Sequence, residues 1–178
     1  MASDKKLYFL ALIPPDDVER QIRQFKIEMK EKFDAKHALK LPAHITLQPP
    51  FWMLEEKEPE LLEALEQFAT QETKFQVQLE GFGCFSPHVI FVKVKNHDPV
   101  LALQGNLLAA LKEIIQKEKN PPIHPHLTIA SRDLKKHMFE PAWKDFRNRS
   151  FVAEFQAKSI FLLKHNGKTW DVLKEQPF

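Results

Sequence analysis

Apolar residues in the first half of the chain follow the spacing of strands and helices in turn. Residues 7–13 form a short apolar run typical of a buried strand, and apolar positions then recur at helical spacing after Asp16. Asp16 and Glu19 are spaced as a capping box at the start of this helix. The pattern further predicts a short strand over 45–47 closed by Pro49-Pro50, a helix opened by Pro59, and a half-buried strand over 74–80.

The second half repeats the same order of elements. The pattern predicts a strand over 89–94, a helix capped at Asp98-Pro99, a short strand over 127–130 and a helix near 138–147. Two further strands flank Asn166-Gly167, a dipeptide typical of a tight hairpin. Equivalent positions in the two halves lie 82 residues apart. We therefore predict one domain made of two duplicated halves, roughly 5–86 and 87–178.

Length and composition are those of an ordinary soluble domain. The chain has 178 residues, of which 43% are hydrophobic and 28% charged, and its net charge of +2 does not by itself indicate nucleic-acid binding. Cys84 is the single cysteine and cannot form an intramolecular disulfide, which favours the cytoplasm. The apolar run after Lys5-Lys6 is too short for a signal peptide, and no stretch approaches the ~18 apolar residues of a membrane span. We expect no membrane association.

The two halves carry the same tetrapeptide type at equivalent positions. These segments are His44-Ile45-Thr46-Leu47 and His126-Leu127-Thr128-Ile129. Side chains two residues apart on a strand point to one face, so each His shares a face with its Thr while the apolar neighbours pack on the other. Two such motifs in equivalent positions are improbable by chance. The alternative is a pair of core histidines bonded to their neighbours.

Two histidines and two hydroxyls suffice to cleave a phosphodiester without a metal. One neutral imidazole can accept the proton of an attacking water while the other, as imidazolium, protonates the leaving ribose oxygen. Two threonine hydroxyls can donate hydrogen bonds to the non-bridging oxygens as negative charge develops there. We therefore interpret His44, Thr46, His126 and Thr128 as the catalytic residues.

The two motifs, with the strand and helix that precede each, resemble those of the 2H phosphoesterase superfamily. The resemblance is greatest to its branch of 2′-5′ RNA ligases and RNA 2′,3′-cyclic phosphodiesterases, and it covers essentially the whole chain. It implies an α+β fold of two pseudo-symmetric lobes, each a small antiparallel sheet flanked by helices, with both motifs facing a central cleft. It implies no metal or other cofactor. It also implies His44 as proton donor and His126 as proton acceptor in the opening of 2′,3′-cyclic phosphates to 2′-phosphomonoesters, with 2′-5′ ligation as the reverse reaction.

Substrate contacts are expected around the same cleft. A nucleobase can stack on an aromatic ring, and the candidates near the motifs are Phe9, Phe51, Trp52 and Phe91. Many members of the resembled family have an arginine at the position of Ser131, whereas here Arg132 follows it; both are candidate phosphate contacts, and a solvated loop residue is the alternative for Arg132. Residues 132–149 carry six basic and three acidic side chains, a surplus that can guide a polyanion. We expect a monomer that binds RNA or a small nucleotide with a 2′,3′-cyclic phosphate.

Three alternatives remain open from the sequence. His124 and His126 form an H-x-H pattern that can bind a metal, although threonine stands at 128 where a third histidine would continue such a site. The same site can instead act on a 2′-5′ oligonucleotide or an ADP-ribose cyclic phosphate. A noncatalytic nucleotide- or RNA-binding module is the third alternative, and it would bind a cyclic nucleotide without turning it over.

Overall fold

Strands and helices follow one another through residues 4–115 and 122–178, the part of the chain that this computed structural model describes. The strands are β1 (Lys5–Leu12), β2 (Ile45–Leu54), β3 (Phe75–Phe85), β4 (Val89–Val94), β5 (His126–Ala130), β6 (Val152–Ala157), β7 (Ser159–His165) and β8 (Trp170–Pro177). The helices are α1 (Asp16–Phe33), α2 (Glu58–Ala69), α3 (His97–Ala110) and α4 (Lys136–Phe146). Short 3₁₀ turns lie at His37–Lys40 and Glu55–Lys57.

The strands form two antiparallel sheets of four. The first sheet has the order β2-β1-β7-β8 and the second has the order β5-β4-β3-β6. Strand β2, which begins directly after His44, and strand β5, which begins at His126, are therefore edge strands, and the two edges lie against each other. Helices flank the sheets. This arrangement confirms the α+β fold with two similar lobes.

Each sheet takes strands from both of the halves expected from the sequence. Strand β3 belongs to the second sheet, where it pairs with β4 and β6, whereas β7 and β8 complete the first sheet beside β1. The short connection between β3 and β4 favours this hairpin, because neighbouring antiparallel strands pair most simply through a tight turn. The boundary near residue 86 consequently does not separate the two sheets, and the duplication stays a prediction.

Strand β2 continues well beyond the end that the sequence predicts. Pro49 and Pro50 lie inside it, and the pairing with β1 shifts register between Tyr8 opposite Phe51 and Leu10 opposite Gln48. Proline lacks an N–H and is tolerated on an edge strand, where one side needs no donor. The prediction that Pro49-Pro50 closes the strand was wrong because the edge position of β2 is not visible in its local pattern.

The prediction of a capping box formed by Asp16 and Glu19 was also wrong. Pro15 is the N-cap residue of α1, and no side chain caps the helix; Asp16 and Glu19 instead lie in its first turn. There they are favourable through the positive end of the helix dipole and not through a capping hydrogen bond. The hairpin at Asn166-Gly167 is confirmed, since β7 pairs with β8 and Gly167 adopts a φ of 98°.

One helix packs against each of the two strands β2 and β5. Helix α1 lies against β5 of the second sheet, and α3 lies against β2 of the first, where the Gln104 amide donates a hydrogen bond to the Leu47 carbonyl at 3.1 Å. The apolar residues of both motifs are fully buried: Ile45, Leu47, Leu127 and Ile129. Their burial directs the alternate residues of β2 and β5, which include the threonines, to the opposite face. Within the described residues, no helix combines the length and apolar character needed to span a membrane.

Candidate active site

The two motif histidines are anchored in the same way. The Nδ1–H of His44 donates to the Pro42 carbonyl at 2.9 Å, and that of His126 donates to the His124 carbonyl at 2.5 Å. A carbonyl oxygen only accepts, so in each ring the proton resides on Nδ1 and the lone pair of the neutral imidazole is on Nε2. Each Nε2 is thereby left as the atom that can exchange a proton with a ligand.

A phenylalanine packs against each imidazole from the neighbouring strand. The Phe9 and His44 rings have centroids 5.2 Å apart, those of Phe91 and His126 lie 4.9 Å apart, and both pairs are tilted by 51°. Both phenylalanines are only 3% exposed. Their contacts help to orient the histidines. Phe9 also lines the cavity beside His44 and so stays a candidate for substrate contact, whereas Phe91 is not a lining residue.

A cavity of about 400 Å³ lies beside His44. His44, Thr46 and Thr128 line it, so the structure brings three of the four motif residues to one space. His126 is not among its lining residues; it lies two residues before Thr128 along β5. The remaining lining residues are Leu7, Phe9, Lys26, His37, Ala38, Lys40, Leu41, Pro50, Ser131, Arg132, His165, Lys168, Thr169 and Trp170.

The charge of this cavity is strongly one-sided. Lys26, Lys40, Arg132 and Lys168 line it, and no carboxylate does so among the described residues. Cationic walls around a partly enclosed space concentrate the field and favour an anionic ligand. The nearly balanced charge of the whole chain hides this local excess, because the four side chains come from separate segments.

Burial lowers the pKa of both motif histidines. The pKa of His44 is lowered to about 4, first because burial disfavours the imidazolium, and further because the charges of Lys26 and His126 oppose it. The pKa of His126 is also lowered by burial, against the opposing effect of its hydrogen bond to His124. In the free protein both imidazoles are thus neutral near pH 7. An anion bound between them favours protonation of one, since an opposite charge raises a histidine pKa.

The loop after β5 carries Ser131 and Arg132 to the cavity. Arg132 has a φ of 50°, in the left-handed region, and the next residue, Asp133, accepts hydrogen bonds from the backbone amides of Lys36 and His37 at 2.8 and 2.9 Å. These bonds tie the loop to the chain segment that precedes the first motif. Ser131 and Arg132 both line the cavity, although Arg132 lies one position later than the arginine expected from the family resemblance.

Other expected contacts lie elsewhere. Phe51 is 6% exposed and stacks on Tyr8 in the core at a centroid distance of 5.9 Å, because strand alternation turns it away from Thr46. Trp52 is 67% exposed and is not a lining residue. Lys135 and Arg149 form ion pairs with Asp34, Glu28 and Asp145. Of the six basic residues in 132–149, only Arg132 lines the cavity.

His124 lies outside the cavity, with its ring 4.8 Å from that of His97 and 5.5 Å from that of Phe85. The carbonyl that orients His126 belongs to the backbone of His124, so this bond does not depend on the His124 side chain. Across residues 4–115 and 122–178, no three histidine, cysteine or acidic residues gather as a metal-binding group.

Sequence reasoning missed several lining residues. Trp170 packs its ring edge-on against Phe9 at 4.6 Å, and Lys168 and Thr169 come from the same hairpin. The hairpin itself was predictable from Asn166-Gly167, but its place beside β1 was not. Lys26 lies within the apolar stripe of α1, and this interruption is the signal that would have identified it.

Comparison with known proteins gives a consistent result. A family model described as "2'-5' RNA ligase superfamily" matches residues 14–169. A protein of Geobacillus sp. (strain WCH70) named "Putative phosphoesterase" is 26% identical over 158 residues, which cover 88% of this chain and 86% of that protein. TT0787 of Thermus thermophilus superposes with a TM-score of 0.69 at 22% identity, with 97% of both chains covered. E. coli LigT in complex with 3′-AMP superposes with a TM-score of 0.71 at 18% identity, with 98% of both chains covered.

Proposed function

The chain belongs to the 2′-5′ RNA ligase superfamily, and on this premise we propose that it opens 2′,3′-cyclic phosphates of RNA ends or nucleotides to 2′-phosphomonoesters. The same site would catalyse 2′-5′ RNA ligation in the reverse direction. The observation that carries the proposal is one cationic cavity lined by His44, Thr46 and Thr128, with His126 on the same strand as Thr128. That E. coli LigT is seen with 3′-AMP supports a nucleotide as the class of ligand.

In the proposed reaction the two histidines move one proton each. His126 Nε2 accepts a proton from water, whose oxygen forms a bond to phosphorus. The bond from phosphorus to the ribose 3′ oxygen breaks, and His44 Nε2–H donates its proton to that oxygen. This assignment of donor and acceptor follows the family resemblance. Burial lowers the pKa of His44 in the free protein, so the donor role requires the negative charge of the bound phosphate to raise that pKa and favour the imidazolium.

The threonines stabilise charge in the proposed transition state. The hydroxyls of Thr46 and Thr128 donate hydrogen bonds to the non-bridging oxygens, where negative charge accumulates as water attacks. Arg132 and Ser131 supply further donors from the loop after β5. The Nδ1 bonds to Pro42 and His124 hold both imidazoles in the tautomer that this chemistry requires.

Turnover of 2′,3′-cyclic AMP tests the proposal directly. The assay is run in excess EDTA, and the product is identified by phosphorus NMR against authentic 2′-AMP and 3′-AMP. We expect 2′-AMP to accumulate without added metal. A predominant 3′-phosphate would contradict the proposed direction of ring opening. Binding without turnover would favour the noncatalytic module, and activity that needs a divalent ion would revive the hypothesis of a metal at His124 and His126.

The pH dependence of kcat/KM is expected to be bell-shaped, with its optimum below pH 6.5. The reaction needs one neutral and one protonated histidine, and the optimum lies midway between the two macroscopic pKa values of the free enzyme. Burial lowers the pKa of both His44 and His126 below the ordinary 6.5, so both limbs move to lower pH. Initial rates at low substrate between pH 4 and 9 measure this profile. An optimum above pH 7 would contradict it.

A further inference from the structure

A lysine lies on the buried face of the longest helix. Lys26 belongs to α1 and is 2% exposed, between Ile22 and Met29, which are both fully buried. Lysine is almost never buried to this extent without a partner, because removing an ammonium from water is costly. Its presence in an apolar stripe therefore needs a compensating interaction.

The protein supplies only part of that interaction. The Nζ of Lys26 donates one hydrogen bond, to the Leu41 carbonyl at 3.0 Å. Within the part of the chain that the structure describes, no carboxylate lies within ion-pair distance of it. Glu19, two turns earlier on the same helix, is near enough only for a through-space effect. An ammonium has three N–H donors, so two remain available.

Lys26 also lies at the cavity. Lys26 lines it together with His44 and Thr128, and its charge is close enough to lower the pKa of His44. At the position 82 residues further along the chain, α3 carries the half-buried Leu108 and no lysine. Under the predicted duplication this is the position equivalent to Lys26, and an apolar side chain occupies it.

We propose that Lys26 is a further substrate-binding residue, whose ammonium donates hydrogen bonds to the phosphate held between the two His and Thr motifs. The inference deepens the proposed function and rests on it for the identity of the substrate. Bound phosphate would supply the counter-charge that the protein lacks. Lys26 would contact it from a buried position, whereas Arg132 and Lys168 are exposed. Burial lowers the pKa of Lys26 to about 8, so the ammonium form still predominates at pH 7.

The test uses Lys26→Met, which preserves length and removes charge, with Lys26→Arg as the charge-retaining variant. Lys30→Met, an exposed position one turn along α1, is the matched control. Affinities for inorganic phosphate, 2′-AMP and adenosine are measured by calorimetry at pH 7, with thermal unfolding of each variant. We expect Lys26→Met to weaken phosphate and 2′-AMP binding about 10- to 100-fold, the range of a charge-assisted hydrogen bond, without weakening adenosine binding.

The variants separate a binding role from a structural one. We expect Lys26→Arg to recover most of the phosphate affinity and Lys30→Met to match the unaltered protein. Unchanged phosphate affinity in a folded Lys26→Met, equal losses for all three ligands, or no phosphate binding by the unaltered protein would each overturn the inference. If Lys26→Met fails to fold, Lys26→Gln replaces it and the same comparison decides.

These measurements need no turnover. A phosphate-specific loss in Lys26→Met, in a protein that does not open 2′,3′-cyclic AMP, would support the role of Lys26 and reject the proposed reaction. If the protein opens 2′,3′-cyclic AMP but Lys26→Met leaves phosphate affinity unchanged, the proposed reaction is supported and the role of Lys26 is rejected.

Discussion

Replacing His44 or His126 with alanine is expected to lower kcat for 2′,3′-cyclic AMP by about 10²- to 10⁴-fold. Each replacement removes one of the two proton transfers and leaves the cavity and its cationic side chains in place. Because the two histidines act as a unit, the double variant should lose much less than the product of the two single losses. Steady-state kinetics on the four proteins of this cycle measure the effect.

The control for this cycle is His137→Ala, since His137 lies exposed on α4 and outside the cavity. Its kinetics should match those of the unaltered protein. Thermal unfolding of all variants separates a lost proton transfer from a lost fold. A folded His44→Ala enzyme that turns over an authenticated substrate at a near-normal rate would refute the two-histidine mechanism.

Replacement of Thr46 or Thr128 by alanine is expected to lower kcat by about 10- to 10³-fold. Each change removes one hydrogen bond to the developing charge and leaves both proton transfers intact, so the loss should be smaller than for a histidine. The effect should fall mainly on kcat and less on KM, because the hydrogen bond strengthens as charge accumulates in the transition state. The two constants are measured separately from full saturation curves.

Serine at the same positions provides the matched comparison, because it retains the hydroxyl and loses only a methyl group. Thr46→Ser and Thr128→Ser should keep most of the activity. If serine and alanine cause equal losses, the threonines act through packing on β2 and β5, and the assigned hydrogen bonds are wrong.

Local pattern was a good guide to the elements of this fold and a poor guide to how they associate. The strand at β4, the helix after Asp16 and the hairpin at Asn166-Gly167 all have periodicities or turn residues that local physics favours. The passage of β2 through Pro49 and Pro50 depends on its edge position. That position is set by pairing with β1, and no residue within β2 reveals it.

The motifs themselves could be identified because their spacing repeats. His44 and His126, with Thr46 and Thr128, stand 82 residues apart, as do Phe9 and Phe91. The sequence indicated that the two phenylalanines belong near the site, but their role came from packing. Both are 3% exposed and contact the imidazoles, and of the two Phe9 also lines the cavity.

What the sequence determined by itself is the face on which the motif threonines lie, since side chains alternate along a strand and the apolar neighbours of Thr46 and Thr128 are buried. Only the tertiary structure decided which residues surround the two motifs. Lys26 comes from α1, Arg132 from the loop after β5, and Lys168 and Trp170 from a hairpin near the end of the chain that pairs with β1 near its start. Their convergence depends on pairing and packing between distant segments. The charge of the cavity therefore arises only in the folded chain.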